Sequence, residues 1–342
     1  MLLPSAALPR AGAVGDGANR RSPSRAELRR TVDRAFRGRR NEPEVGALHQ
    51  FIARDPAGYA AGRLTGTEAQ RRAILARPGS DLLGISIRLV PRASVLDVAA
   101  LDDPVLTRGL GRGTVERMAA IDHAVVIRGE YRPQGFVRGL RLLQTLVAAY
   151  ARQVDGVILD PDTGELWAVD SFTSRQLRAR DRNVADQIAV VPFPDLDDAS
   201  RVRLCTRGMR RFGAPDLELD ALPVEPRRLA QATDLLRGLA LVVAGLAELD
   251  AAGYASSAPD EVALTRRDIA ESLAASGTMS PCATCQETVA VHLVERSRHP
   301  TDPVDHPVVR VVAPLSQSRA PAYDHPAWVQ RAIERLFGPA VP

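Results

Sequence analysis

The chain has 342 residues, 45% apolar, 25% charged and 4% aromatic, which is long and apolar enough for two ordinary domains and excludes a disordered or fibrous protein. All 45 of its cationic residues are arginine. Without a lysine amine there is no Schiff-base or pyridoxal chemistry, no Walker A phosphate loop and no protein-kinase active site. The loss of lysine beside abundant alanine and arginine reads as coding bias in a GC-rich genome, and so as a bacterial source.

The net charge of +4 is unevenly placed, because residues 1–40 hold ten arginines against Asp16, Glu27 and Asp33, a net of +7, and the rest of the chain sums to −3. The basic stretch over residues 20–40 is a candidate tether to nucleic acid or anionic lipid, although Phe36 is its one aromatic and stacking platforms for bases are missing. The alternative is a solvated, partly helical tail. Met1 to Pro9 is apolar but short, and its first cation, Arg10, follows the apolar run, the reverse of a secretory signal. The strongest apolar run, Leu239 to Ala247, lies between Arg237 and Glu248 and reads as a buried helix, so no transmembrane segment is expected. Three cysteines are too few for a disulfide framework and suggest a reducing cytoplasm.

In chain order, residues 1–22 mix Gly, Pro, Ser and Ala without a period and are expected to be disordered. Residues 23–121 form a helical preface with one strand: Ala26, Leu28, Val32 and Phe36 fall at helical spacing, Val45, Leu48, Phe51 and Ile52 follow Pro43, and a third helix surrounds Glu68 to Ala76. Leu82 to Val90 is the strand, and Val95 to Leu101 and Gly113 to Ile121 are short helices. An α+β core domain is expected over 122–342. It starts with a strand at Ala124 to Ile127, a helix over Phe136 to Val154, and a hairpin of Val157 to Leu159 with Leu166 to Val169. Strands follow at Ile188 to Val191, Arg203 to Thr206 and Leu217 to Leu219, then a long apolar helix from Pro226 to Ala252. A helix near Asp268 to Ala274, strands at Val289 to Glu295 and Val308 to Val312, and a helix from Trp328 to Phe337 complete the chain. The irregular alternation favours α+β, with a mixed or antiparallel sheet packed by the two long apolar helices. Strand followed by long helix occurs twice, which leaves an internal repeat and coincidence equally open.

The segment Thr206-Arg207-Gly208-Met209-Arg210-Arg211-Phe212-Gly213-Ala214-Pro215-Asp216-Leu217-Glu218-Leu219, followed by a long apolar helix, resembles a stretch in a group of bacterial domains of unknown function. The resemblance covers roughly 50 residues and implies a turn feeding a strand; it brings no catalytic residues with it. Other motifs fail on inspection. Asp160-Pro161-Asp162-Thr163-Gly164-Glu165 contains D-x-D-x-G, but an EF-hand loop would need glycine at Glu165 and glutamate at Ser171, so a hairpin turn is the better reading. Gly109-Leu110-Gly111-Arg112-Gly113-Thr114 lacks the last glycine of a dinucleotide fingerprint and follows no strand. His123 beside Asp122 reads as a surface pair starting a strand.

Cys282-Ala283-Thr284-Cys285 with His292, His299 and His306 at intervals of seven suggests zinc. A strand over Val289 to Glu295 would hold His299 and His306 about 30 Å from the cysteines. The expected ligand set is therefore Cys282, Cys285 and His325, with Cys205 less suited; free thiols or a reversible disulfide are the alternatives. The leading expectation is a cytoplasmic, non-catalytic protein-binding or regulatory module. The alternatives are a thiol or zinc protein built on Cys282 and Cys285, and nucleic-acid binding through the arginine-rich arm.

Overall fold

The computed structural model describes residues 2–3, 82–103, 106–107, 109–131, 138–176, 183–195, 198, 200–246, 248–249, 255–257, 259–277, 285–303 and 306–338. They divide into two compact units, the first ending at Gln176 and the second starting at Asn183. Both combine helices with a sheet, and the protein is α+β with a mixed sheet in the second unit.

The first unit runs β1 (Leu2–Leu3), β2 (Leu82–Pro91), α1 (Arg112–Ala119), β3 (His123–Tyr131), α2 (Arg138–Gln153), β4 (Val157–Asp160), β5 (Glu165–Trp167) and α3 (Val169–Gln176). Its strand order is β2-β3-β1-β4-β5. β2 and β3 form a long antiparallel ladder, and Leu2 pairs with both Val125 and Ile158, which puts β1 in the middle of the sheet. The link between two short 3-10 turns, Arg92–Ser94 and Ala99–Asp102, supplies Leu96, the second turn Leu101 and α1 Met118 to a core shared with Ile121, Ala124, Val157, Leu159 and Leu166. α2 packs on the strands through Leu140, Val147 and Ala151, whose i, i+7, i+11 spacing lines one helix face. The β4–β5 turn is closed by Gly164 at φ 74° and by the Asp162 N–H donating to Asp160 Oδ1 at 3.1 Å.

The second unit holds β6 (Ala189–Pro194), β7 (Arg201–Arg207), β8 (Asp216–Pro223), α4 (Pro226–Leu246), the pair β9 (Glu248–Leu249) and β10 (Ala255–Ser257), β11 (Glu261–Thr265), α5 (Arg266–Ala275), β12 (Thr288–Glu295), β13 (Val308–Val312), α6 (Leu315–Ser318) and α7 (His325–Phe337). Its six-stranded sheet has the order β11-β12-β13-β8-β7-β6, antiparallel except for β13 beside β8. Alternation sorts the side chains. Leu217, Leu219, Val262, Leu264, Val289, Val291 and Val311 are buried on the face that α4, α5 and α7 cover, each large side chain worth about 1.5–3 kcal/mol. Asp216, Glu218 and Asp220 alternate with them along β8. α5 begins at a capping box in which Thr265 and Asp268 exchange hydrogen bonds, and α7 begins where the Asp324 side chain accepts the Ala327 N–H.

Several expectations change. The two long helices do not share a sheet: α2 lies on the first and α4 on the second. Each strand-helix pair closes its own core, so one core domain over 122–342 is not what the described residues form. The long helix stops at Leu246, ahead of Gly253, because the chain turns into the β9–β10 pair. Leu2–Leu3, placed by composition in a disordered tail over 1–22, is a strand; backbone pairing on both sides overrides the local bias. The helices expected between residues 23 and 81 and the arginine-rich stretch 20–40 lie outside the described residues. Among the described residues, no helix is long and apolar enough to cross a membrane.

Candidate functional site

The polar face of the second sheet gathers the side chains with chemistry, and the segment from Thr206 to Leu219 builds it. Gly208 at φ 108° and Gly213 at φ 68° bracket a 3-10 turn, Met209–Phe212, in the left-handed conformation that favours glycine. Met209 and Phe212 are buried beneath it. Asp216 Oδ1 accepts from Thr206 Oγ1 and from the Met209 N–H, both at 3.1 Å, and Thr206 Oγ1 accepts the Leu217 N–H at 2.8 Å. The turn is thereby locked onto the start of β8, which leaves Glu218 and Asp220 at fixed places on the sheet.

Glu218, 2% exposed, is the centre of a buried ionic network. Arg203 Nη1 donates to Glu218 Oε2 at 2.6 Å, and Arg296 forks onto the same carboxylate at 2.8 and 2.7 Å. Arg296 also spans to Asp302 at 2.7 and 3.0 Å, and Asp302 accepts the His299 N–H at 2.7 Å. Arg207 stands 3.7 Å from Asp302 and donates to the Thr301 carbonyl at 2.9 Å. Arg203 and Arg207 both lie over the Phe193 ring, at 4.8 and 5.3 Å from its centroid. Burial opposes the Asp302 anion, but the bonds from Arg296 and His299 outweigh it and hold the carboxyl below its usual range. Burial pushes the Cys205 thiol well up and the neighbouring Glu218 charge pushes it further, so this free cysteine, whose Sγ–H donates to Glu218 Oε2 at 3.1 Å, is a locked thiol.

A second constellation stands where β8 ends. Leu204 pairs with Leu219 but Val202 with Leu222, so β8 carries an extra residue, and Ala221 adopts φ 57° in that bulge. The bulge presents Asp220 to His325 at the first turn of α7: His325 Nε2 lies 2.6 Å from Asp220 Oδ1, and its Nδ1 lies 2.7 Å from the Tyr323 hydroxyl. Arg310 pairs with Asp220 Oδ2, and the His325 ring stacks on Trp328 with centroids 5.7 Å apart. Burial raises Asp220, but the His325 and Arg310 bonds more than offset it and its carboxyl is held low. Burial raises the Tyr323 phenol.

The structure treats the sequence-derived zinc ligands differently from one another. Cys282 lies outside the described residues, Cys285 is half-buried and disulfide-bonded, and both ring nitrogens of His325 are engaged by Asp220 and Tyr323. Cys205 is committed to Glu218. The three histidines at intervals of seven have separate partners: His292 Nδ1 meets the Asp260 carbonyl at 2.8 Å, the His299 backbone serves Asp302, and His306 Nε2 is 3.6 Å from Asp216. Among the described residues, no three His, Cys, Asp or Glu side chains gather around one point as a metal site. Sequence reasoning singled out His325 but missed Asp220, Tyr323, Glu218 and Arg296. The available signal was the alternation Asp216, Glu218, Asp220 on a strand flanked by arginine-bearing neighbours, since three carboxylates on one sheet face require cations. Comparisons of the chain with protein-family models, with curated proteins and with solved structures found no match.

Proposed function

We propose that the protein is a non-catalytic binding or regulatory module that engages a protein partner through the sheet face opposite the helices of the second unit. The observation that carries this reading is the side of β11 and β12 away from α4 and α7. There Ala263 pairs directly with Ala290, both exposed, and Val294, 37% exposed, lies four residues on along the same face of β12. Short side chains leave the sheet surface flat, and Glu261, His292 and Arg310 stand on the same face with polar groups, the arrangement of a small apolar centre within a polar rim. The ionic network beside it fixes the neighbouring strands in register, so the surface is preorganised. Photo-crosslinking from position 290 or 294 in the source cells tests the reading. One discrete protein adduct is expected from those positions and none from Gln330, exposed on α7; equal yields from all three would overturn it.

A second reading, a thiol–disulfide function of the Cys282-x-x-Cys285 segment, is favoured by the disulfide at Cys285. It competes with zinc, which binds cysteine as thiolate, and it suits an oxidising compartment or a pair that cycles within the cytoplasm. Mass-spectrometric thiol counting across a graded glutathione series, with metal analysis of the reduced protein, separates the two. One zinc per reduced chain, lost in Cys285→Ser, would favour the metal.

A further inference from the structure

Tyr323, His325 and Asp220 form one unbroken hydrogen-bonded line. It meets the geometric test for an activated nucleophile: a hydroxyl bonded to a base, and the base bonded to a carboxylate. One proton assignment satisfies every group in it. Tyr323 O–H donates to His325 Nδ1, His325 Nε2–H donates to Asp220, and the Ala313 N–H donates to the phenol oxygen at 3.3 Å. In that neutral tautomer Nδ1 is the acceptor, as a general base must be. The carboxylate is fixed twice over, by Arg310 on its other oxygen and by the bulge at Ala221, so the imidazole is held in one orientation.

We propose that Tyr323 is a modification site, a covalent acceptor for an acyl group delivered by an activated carboxylic ester or thioester, with His325 as its base and Asp220 as a positioning residue. The Tyr323 oxygen attacks the acyl carbon. A new O–C bond forms while the bond from that carbon to the leaving oxygen or sulfur breaks, and the leaving group takes the electron pair. The phenolic proton passes to His325 Nδ1 and from there to the leaving group, so nothing is oxidised or reduced. Asp220 faces the imidazolium formed in between. Because burial raises the Tyr323 phenol, there is no standing phenolate, and reactivity depends on His325 taking the proton during attack, as in a serine triad. Arg310 and Arg331 favour negative charge at Tyr323 while the Asp220 carboxylate opposes it, and burial leaves the phenol raised on balance.

The test uses the unmodified full-length protein, p-nitrophenyl acetate as the acyl donor, and mass spectrometry to locate the acetyl groups. The chain lacks lysine, which confines amine background to the N-terminus. Tyr323 is expected to take up one acetyl group about ten-fold faster than any of Tyr59, Tyr131, Tyr150 or Tyr254. His325→Gln is expected to slow that labelling about 100-fold, within the range of a positioned general base, with an unchanged circular dichroism spectrum. The wild-type selectivity needs no variant, so a variant that misfolds does not shield the proposal. Equal labelling of the five tyrosines, or undiminished Tyr323 labelling in a folded His325→Gln protein, would overturn it. Nitrophenol release continuing beyond one equivalent per chain would leave Tyr323 as the acceptor and would instead refute the non-catalytic reading above.

Discussion

Replacing Arg296 by alanine removes the guanidinium that ties Glu218 to Asp302. Its four hydrogen bonds to the two carboxylates, 2.7 to 3.0 Å long, disappear, together with a fifth to the Ser297 carbonyl at 2.8 Å. The two carboxylates do not suffer alike. Glu218 keeps Arg203 at 2.6 Å, whereas Asp302 is left with one backbone N–H at 2.7 Å and Arg207 at 3.7 Å. Its side chain is 2% exposed, so the anion loses its one directly hydrogen-bonded cation in a place water hardly reaches. Losing one partner of a buried pair costs about 3–5 kcal/mol, which for a unit of this size lowers the melting midpoint by roughly 6–20 °C. Each unit carries one tryptophan, Trp167 in the first and Trp328 in the second, so Trp167→Phe isolates the fluorescence of the second unit during urea unfolding. Adding Asp302→Asn to Arg296→Ala removes the stranded charge, and the double variant should be more stable than the sum of the singles predicts by at least about 1 kcal/mol. A single-variant loss below about 1 kcal/mol, the worth of an exposed pair, or strict additivity, would refute the network as a buried, coupled unit.

Acid provides an independent check, because Asp302 and Asp220 are both held below their unfolded values. Their contribution is present above the unfolded value near about pH 4 and is lost as pH falls through the lower folded one. Asp302→Asn should flatten the decline of the melting temperature below about pH 4 relative to wild type. In α4, a methyl group on Gly238 would stand 2.9 Å from the Ile269 Cα, so Gly238→Ala should destabilise by about 1–3 kcal/mol despite its better helix propensity. Gly245 in the same helix has nothing within 4 Å, and Gly245→Ala should stabilise by up to about 1 kcal/mol in the same denaturation assay. Ala221→Gly, relieving a left-handed alanine at φ 57°, should raise the midpoint by an amount equivalent to about 1 kcal/mol.

Elements whose information is local are legible in the sequence. β13 occupies Val308–Val312 as its β-branched run indicates, β12 begins one residue before Val289, and the β4–β5 hairpin surrounds the turn-forming Asp160 to Gly164. β8 reads short because the bulge at Asp220 and Ala221 breaks its period, although the strand continues to Pro223. α3 is hidden because Val169 continues the apolar run of β5 and nothing nearby marks a helix start. The unit boundary is invisible for a physical reason: β3–α2 and β8–α4 have similar patterns, and hydrophobic periodicity says that each helix is covered but not by which sheet. The candidate site is the least legible part. Asp220 and His325 are 105 residues apart, so no spacing rule links them, and only the pairing of β13 with β8 and the placing of α7 beside them join the two. The heptad of histidines, by contrast, is conspicuous in the sequence and dispersed in space.

The two outer strands of the second sheet have consequences for how this protein would polymerise. β6 carries Pro192 and Pro194 at alternate positions, so that rim lacks amide donors where an incoming strand would look for them. β11, at the opposite rim, has no proline and keeps its full set of amides. Propagation by strand addition is therefore one-ended. A copy that added to another through β11 would leave a proline strand facing outward at both ends of the joined sheet, so strand addition through this sheet would stop at two members.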